Sequence, residues 1–181
     1  MKAFGDAVYF IALLSTRDRW HTRAIAINRQ PPGLLVTTEW VLTEVGDAFS
    51  QPGARQQFIR LLDLLRQQPD VEIVPSTSDL FRRGTDFFSA RPDKEWSLTD
   101  CISFVVMSEL GITDTLTSDH HFEQAGFQST KTTISGRRVD GLQVLLQFQA
   151  HGSRLSIRKP FVTRMLQLLA ARTGLEPVHR P

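Results

Sequence analysis

SLTDCISFVVMSELGITDTLTSD, residues 97–119, reads as a helix giving way to a strand, with an acid at the opening of the first and another just past the second. Residues 97–110 form an apolar run entered past a single carboxylate, Asp100, and predict a helix. GITDTLTS, residues 111–118, predicts a strand, and Asp119 follows it directly. Ser97 and Asp100 have the S-x-x-D spacing of a capping box, in which the serine caps the helix and the carboxylate reaches back to a free backbone N–H. That structural role accounts for Asp100 taken alone. A chemical role depends on other acids standing at comparable places in elements that converge on it.

Working outward, the same alternation recurs. KAFGD predicts a first strand ending at Asp6, followed by a helix over AVYFIALL and a second over RWHTRAIAINRQ that PPG stops. LLVTTEW gives a short buried strand passing into the helix EWVLTEVGDAF, where Val41, Val45 and Ala48 share a face. ARQQFIRLLDLLRQQ has Phe58, Leu61, Leu62 and Leu65 in helical register. VEIV is then a strand, TSDLFRRGTDFFSA a helix, and DHHFEQAGF a short terminal helix. Strands alternating with helices call for a mainly parallel central sheet covered on both faces, a three-layer α/β/α sandwich.

In such sheets ligands bind outside the carboxyl ends of the strands. Asp6 and Asp119 each follow a strand, so both are expected at that edge, and Asp100 opens its helix at the same rim. Glu44 lies in the helix after the second strand, among apolar neighbours that draw it inward. Four acids thus have reason to meet. Two unit charges about 5 Å apart repel by roughly 3 kcal/mol at an effective dielectric near 20. Such a cluster persists if it retains protons, is neutralised by basic groups, or holds a divalent cation. An oxygen-only set suits a hard ion, Mg²⁺ or Mn²⁺, and the matching reaction class is phosphodiester hydrolysis.

The 181 residues are enough for one well-cored domain with an appendage. Cys101 is the only cysteine, which excludes an intramolecular disulfide and a multi-cysteine zinc site. The opening MKAFGDAVYFIALL carries an acid within its apolar stretch, unlike a signal peptide, and no window is long enough to span a bilayer. The expected location is the cytoplasm. Charge is lopsided: residues 1–127 hold 12 Lys and Arg against 17 Asp and Glu, whereas residues 128–181 hold 9 against 2. A basic end behind an acidic body suggests a polyanion such as RNA, although solubility alone also explains it.

FGD with Asp6, TTEWVLTEV with Glu44, DKEWSLTDCISFVVM with Asp100 and LTSDHHFEQAGF with Asp119, in that order, resemble the PIN-domain family, in particular its VapC-like ribonuclease toxins. The resemblance runs from about residue 2 to residue 127 and marks residues 128–181 as a separate basic extension. It implies a Mg²⁺- or Mn²⁺-dependent endoribonuclease, the toxin of a type II toxin–antitoxin pair. Asp6 and Asp100 would be its principal metal ligands, with Glu44 and Asp119 completing the site. It further implies an RNA substrate, a cognate antitoxin and a homodimer. Two positions depart from the family pattern: Ala7 stands where a hydroxyl residue usually follows the first Asp, and Gly5 where a strand side chain usually packs. Loss of a supporting hydroxyl gives a second reading, a catalytically impaired PIN-fold RNA-binding or regulatory module.

Other motifs carry less. DHH lacks the further acidic motifs of the phosphoesterases named after it, so Asp119 is expected to cap a short helix with an imidazole near the rim. No Gly-rich phosphate loop or nucleophile elbow is present. Of the basic residues, Arg91 and Lys94 are nearest Asp100 in sequence and lead as RNA contacts, ahead of Arg17, Arg19, Arg82 and Arg83. Trp96 is expected in the core. PFVTRMLQLLAAR, with Phe161, Met165, Leu168 and Leu169 near one side, reads as a helix in the extension.

Overall fold

Three of the strands leave no room for a solvated face. In a computed structural model that describes residues 2–29 and 32–129, successive residues Ala3, Phe4 and Gly5 of β1 (Lys2–Gly5) are all buried, as are Leu35 to Thr38 of β2 (Leu34–Thr38). Thr115 and Leu116 of β4 (Asp114–Leu116) follow suit. Adjacent strand residues point to opposite faces, so burial of both sets means helices cover both sides. The strands β3 (Val71–Val74) and β5 (Gln128–Ser129) form the two edges.

The sheet order is β3-β2-β1-β4-β5, and every pairing is parallel. Phe4 stands between Val36 and Thr115 in register, and Gly5 opposite Leu116. The chain builds outward from β1 in one direction through β2 and β3, then returns to the other side of β1 with β4. This reversal makes the carboxyl ends of β1 and β4 a topological switch point, where such sheets open a crevice.

The helices are α1 (Ala7–Leu14), α2 (His21–Arg29), α3 (Glu39–Ala48), α4 (Arg55–Gln67), α5 (Ser78–Ser89), α6 (Leu98–Glu109) and α7 (His120–Gln124). Each matches an expected element. The fifth strand was not foreseen, and the expected stop of α2 at PPG falls partly on residue 31, outside the described residues. Several helices begin at a hydroxyl cap: Thr38 Oγ1 accepts from Val41 N–H and Thr77 Oγ1 from Leu80 N–H, both at 3.1 Å. The cap on Thr38 turns β2 directly into α3 and so fixes where Glu44, two turns on, can point.

One aromatic, Phe104 on α6, organises the core near the site. Trp96, Phe122 and Phe127 surround it at ring-centroid distances of 5.1, 5.0 and 5.5 Å, and Phe4 of β1 reaches Phe122 at 6.2 Å. Trp96 is therefore a core residue, its indole N–H donating to Gln124 Oε1 at 3.2 Å. Gly84 lets α5 press on α6, because a Cβ there would collide with Ile102. Gly5 has the same kind of reason: a Cβ would lie 2.9 Å from Phe10 Cζ and 3.1 Å from Leu35 Cδ1. Cys101 is buried and unpaired. The expected extension, including the helix-like stretch over 160–172, lies outside the described residues apart from β5.

Candidate active site

Asp6 is the residue immediately after β1 and the N-cap of α1, yet its side chain makes no capping bond. It is 5% exposed, and its Oδ2 accepts instead from Thr117 Oγ1, just past β4, at 2.7 Å. Thr117 in turn accepts from the backbone N–H of Asp119 at 2.9 Å, while its carbonyl accepts from Ser129 Oγ on β5. One hydroxyl thus ties the ends of β1 and β4 together across the switch point. Behind it, Thr37 Oγ1 donates to the carbonyl of Gly5 at 2.8 Å and fixes the last residue of β1.

Asp100 performs its structural task as the spacing predicts. Its Oδ2 accepts from Ser97 N–H at 2.8 Å, and Ser97 Oγ accepts from Asp100 N–H at 3.0 Å. The box does not remove the carboxylate from the crevice, since it engages one oxygen and leaves Oδ1 outside the box. The side chain is fixed in one orientation at 8% residue exposure, and the same Oδ2 lies 3.3 Å from His121 Nδ1. Asp119 caps α7, its Oδ1 accepting from His121 N–H at 2.9 Å.

The electrostatics join these acids into one group. Burial pushes the Asp6 carboxyl up to about 7; bonds from Thr117 and from the Ala7 backbone oppose the rise, and the charges of Asp100 and Glu44 add to it. Glu44, half-buried on α3, is also raised, first by burial and then by Asp100 and Asp47, against a bond from Thr99. Asp6, Glu44 and Asp100 therefore feel one another's charge directly. Asp119 joins them through Thr117 on one side and His121 on the other. The donor set is carboxylate oxygen, and the charges acting on Asp6 are negative, an arrangement that fits a hard divalent cation.

Arg91 and Lys94 lie on the segment between α5 and α6. The Arg91 guanidinium sits over the Phe87 ring at 5.6 Å, and Lys94 pairs with Asp93 at 3.3 Å while lying over Trp96. Arg82 and Arg83 are engaged along α5 and onto α6, with Asp79, Asp86 and Glu109. His21 Nδ1 donates to the Ala12 carbonyl at 2.7 Å, a packing role. His121 is the imidazole expected near the rim, whereas Thr117 and Thr99 are site residues that sequence reading did not assign a place. Only the T-x-D spacing of Thr117 and Asp119 hints at the first of them, as a hydroxyl turn.

The PIN domain family model matches residues 3–128. Two curated relatives, the 23S rRNA-specific endonuclease VapC20 of Mycobacterium tuberculosis strains CDC 1551 / Oshkosh and ATCC 25618 / H37Rv, are each 25% identical over 124 residues, covering 68% of this chain and 94% of theirs. A crystal structure of M. tuberculosis VapC20, described as a Sarcin-Ricin loop cleaving toxin, superposes with a TM-score of 0.64 at 24% identity. It covers 70% of this chain and 96% of its own, a likeness of fold.

Proposed function

This chain belongs to the PIN domain family, and on that premise we propose that it is a metal-dependent endoribonuclease, the toxin of a toxin–antitoxin pair. The observation that carries the reading is the mutual charge of Asp6, Glu44 and Asp100 at the switch point, with the Asp6 carboxyl raised to about 7. Asp6, Asp100, Glu44 and Asp119 are the proposed ligands and catalytic acids. Mg²⁺ or Mn²⁺ bound there would polarise the phosphate and lower the pKa of a water.

The chain's own residues prepare the site before any ion arrives. Thr117 and the Ser97 box hold Asp6 and Asp100 in fixed orientations, so little ordering remains to be done on binding. Asp6 retains its proton up to near neutral pH in the free protein, and an incoming cation competes with that proton. Thr117 also bears on the second reading of an impaired site. The hydroxyl missing at Ala7 has a counterpart donated from the far side of the crevice, which supports the active enzyme over the impaired module.

The proposed substrate is RNA, with Arg91 and Lys94 as phosphate contacts at the rim. The 23S rRNA specificity of the VapC20 relatives makes 23S rRNA the first target to test. A cognate antitoxin, a cytoplasmic location and a homodimer complete the proposal. No helix among the described residues is long and apolar enough to cross a membrane. We place the second copy against the exposed Phe81, whose ring lies 5.6 Å from that of Trp40.

The experiment is cleavage of an RNA panel that includes 23S rRNA by purified protein with Mn²⁺, beside Asp100→Asn. The expected result is discrete cutting that EDTA abolishes and that falls at least a hundredfold in the variant. Equal background from both proteins would reject the enzyme.

A further inference from the structure

The cation site proposed above has a second end whose chemistry differs from that of the acids. Asp119, His120 and His121 each offer one ligand atom, and the three atoms lie within 4.8 Å of one another. His121 Nδ1 stands 3.3 Å from Asp100 Oδ2 and 3.4 Å from Asp119 Oδ1, and His120 Nδ1 stands 3.5 Å from that same Asp119 oxygen. Direct charge-assisted N–H···O⁻ bonds settle at roughly 2.7–2.9 Å, so these contacts are long for ion pairs. They lie nearer a different figure. Ligands bonded at about 2.0–2.1 Å to a tetrahedral ion stand about 3.3–3.4 Å from one another.

Two of the three donors are also held rather than loose. The His121 side chain is 18% exposed and Asp119 29%, and Asp119 Oδ1 is fixed by the cap on His121 N–H. His120, 69% exposed, lies at the rim with its ring 4.5 Å from that of His121. Asp100 faces both ends: its charge acts on Asp6 and Glu44, and its Oδ2 meets His121.

Resting on the nuclease reading, we propose that Asp119, His121 and His120 form a nitrogen-bearing cation position next to the oxygen-only one, with Asp100 between them. Imidazole ligands favour borderline ions over the hard Mg²⁺ and Mn²⁺, so this position takes Co²⁺ or Zn²⁺ in preference.

Co²⁺ is the probe, because its visible absorption is weak among six oxygens and far stronger in a four- or five-coordinate site with nitrogen. The full chain without a histidine tag is titrated with Co²⁺ and then challenged with Zn²⁺, Mn²⁺ or excess Mg²⁺. The expected result is strong bands that Zn²⁺ displaces and that comparable Mn²⁺ and excess Mg²⁺ do not. Asp6→Asn retains the bands and His121→Gln loses them. His120→Ala, at an exposed position that the fold tolerates, weakens Co²⁺ binding at least tenfold, so the outcome does not hang on one variant's folding. A weak six-oxygen spectrum, bands that survive in both histidine variants, or displacement by comparable Mg²⁺ would overturn the proposal. The two readings fail separately. Intact Co²⁺ bands without RNA cleavage reject the nuclease, and Mg²⁺-driven cleavage with histidine variants spectrally like wild type rejects the nitrogen position.

Discussion

Asp6 is the residue whose environment says most. A carboxyl raised in the folded state from 3.8 to about 7 binds protons more tightly folded than unfolded over that interval. Below the lower value both states are protonated and the residue contributes nothing. As pH rises through the interval the folded state loses ground, and above about 7 the whole cost stands, roughly 4 kcal/mol at 1.36 kcal/mol per pH unit as an upper bound. Asp6→Asn removes that cost. In EDTA at pH 8 the variant is expected to melt several degrees above wild type, with the gap closing below pH 4; an equal or lower melting temperature at pH 8 would contradict the burial account. Thr117→Val acts oppositely on the site. It deletes the 2.7 Å bond that steadies Asp6, and Mn²⁺ affinity measured by calorimetry should fall about ten- to a hundredfold.

At the scale of elements, α6 couples stability to the site. Ser97→Ala removes half of the capping box and is expected to cost about 1 kcal/mol in urea unfolding. It also lets Asp100 turn, so cation affinity should drop with it; stability falling while affinity holds would mean the box does not position the carboxylate. Gly84→Ala tests the contact behind α6. Because the added methyl meets Ile102, about 1–3 kcal/mol of destabilisation is expected despite the gain in helix propensity, and a neutral result would show that the helices shift apart freely. The elements themselves were legible because apolar period and polar caps are local signals, the caps as at Ser97 and Asp119. The strand Gln128–Ser129 was not: two polar residues have no periodicity, and they are strand only because β4 offers an edge. The bond from Thr117 to Asp6 spans 111 residues, so its partner could not be read from spacing.

For the whole molecule, the strand order decides where chemistry can sit. The reversal at β1 opens the crevice, and acids placed after β1 and β4 arrive there whatever the loops do. Placing the four acids at one rim was legible from the alternation of strands and helices. An imidazole at the rim was expected from DHH, but the contact of His121 with Asp100 was not legible, because it is a product of folding rather than spacing. On the outer surface, Phe81→Asp should turn a dimer into a monomer in sedimentation if the Trp40–Phe81 patch seats a second copy; unchanged mass would place the contact elsewhere.

The shared cation is tested most directly by anomalous diffraction from crystals grown with Mn²⁺, compared with crystals of Asp100→Asn. A peak bounded by the carboxylates of Asp6 and Asp100 in the native protein, lost or weakened in the variant, is the result predicted here. A crevice without anomalous density, or Mn²⁺ bound only at unrelated surface acids, would contradict it.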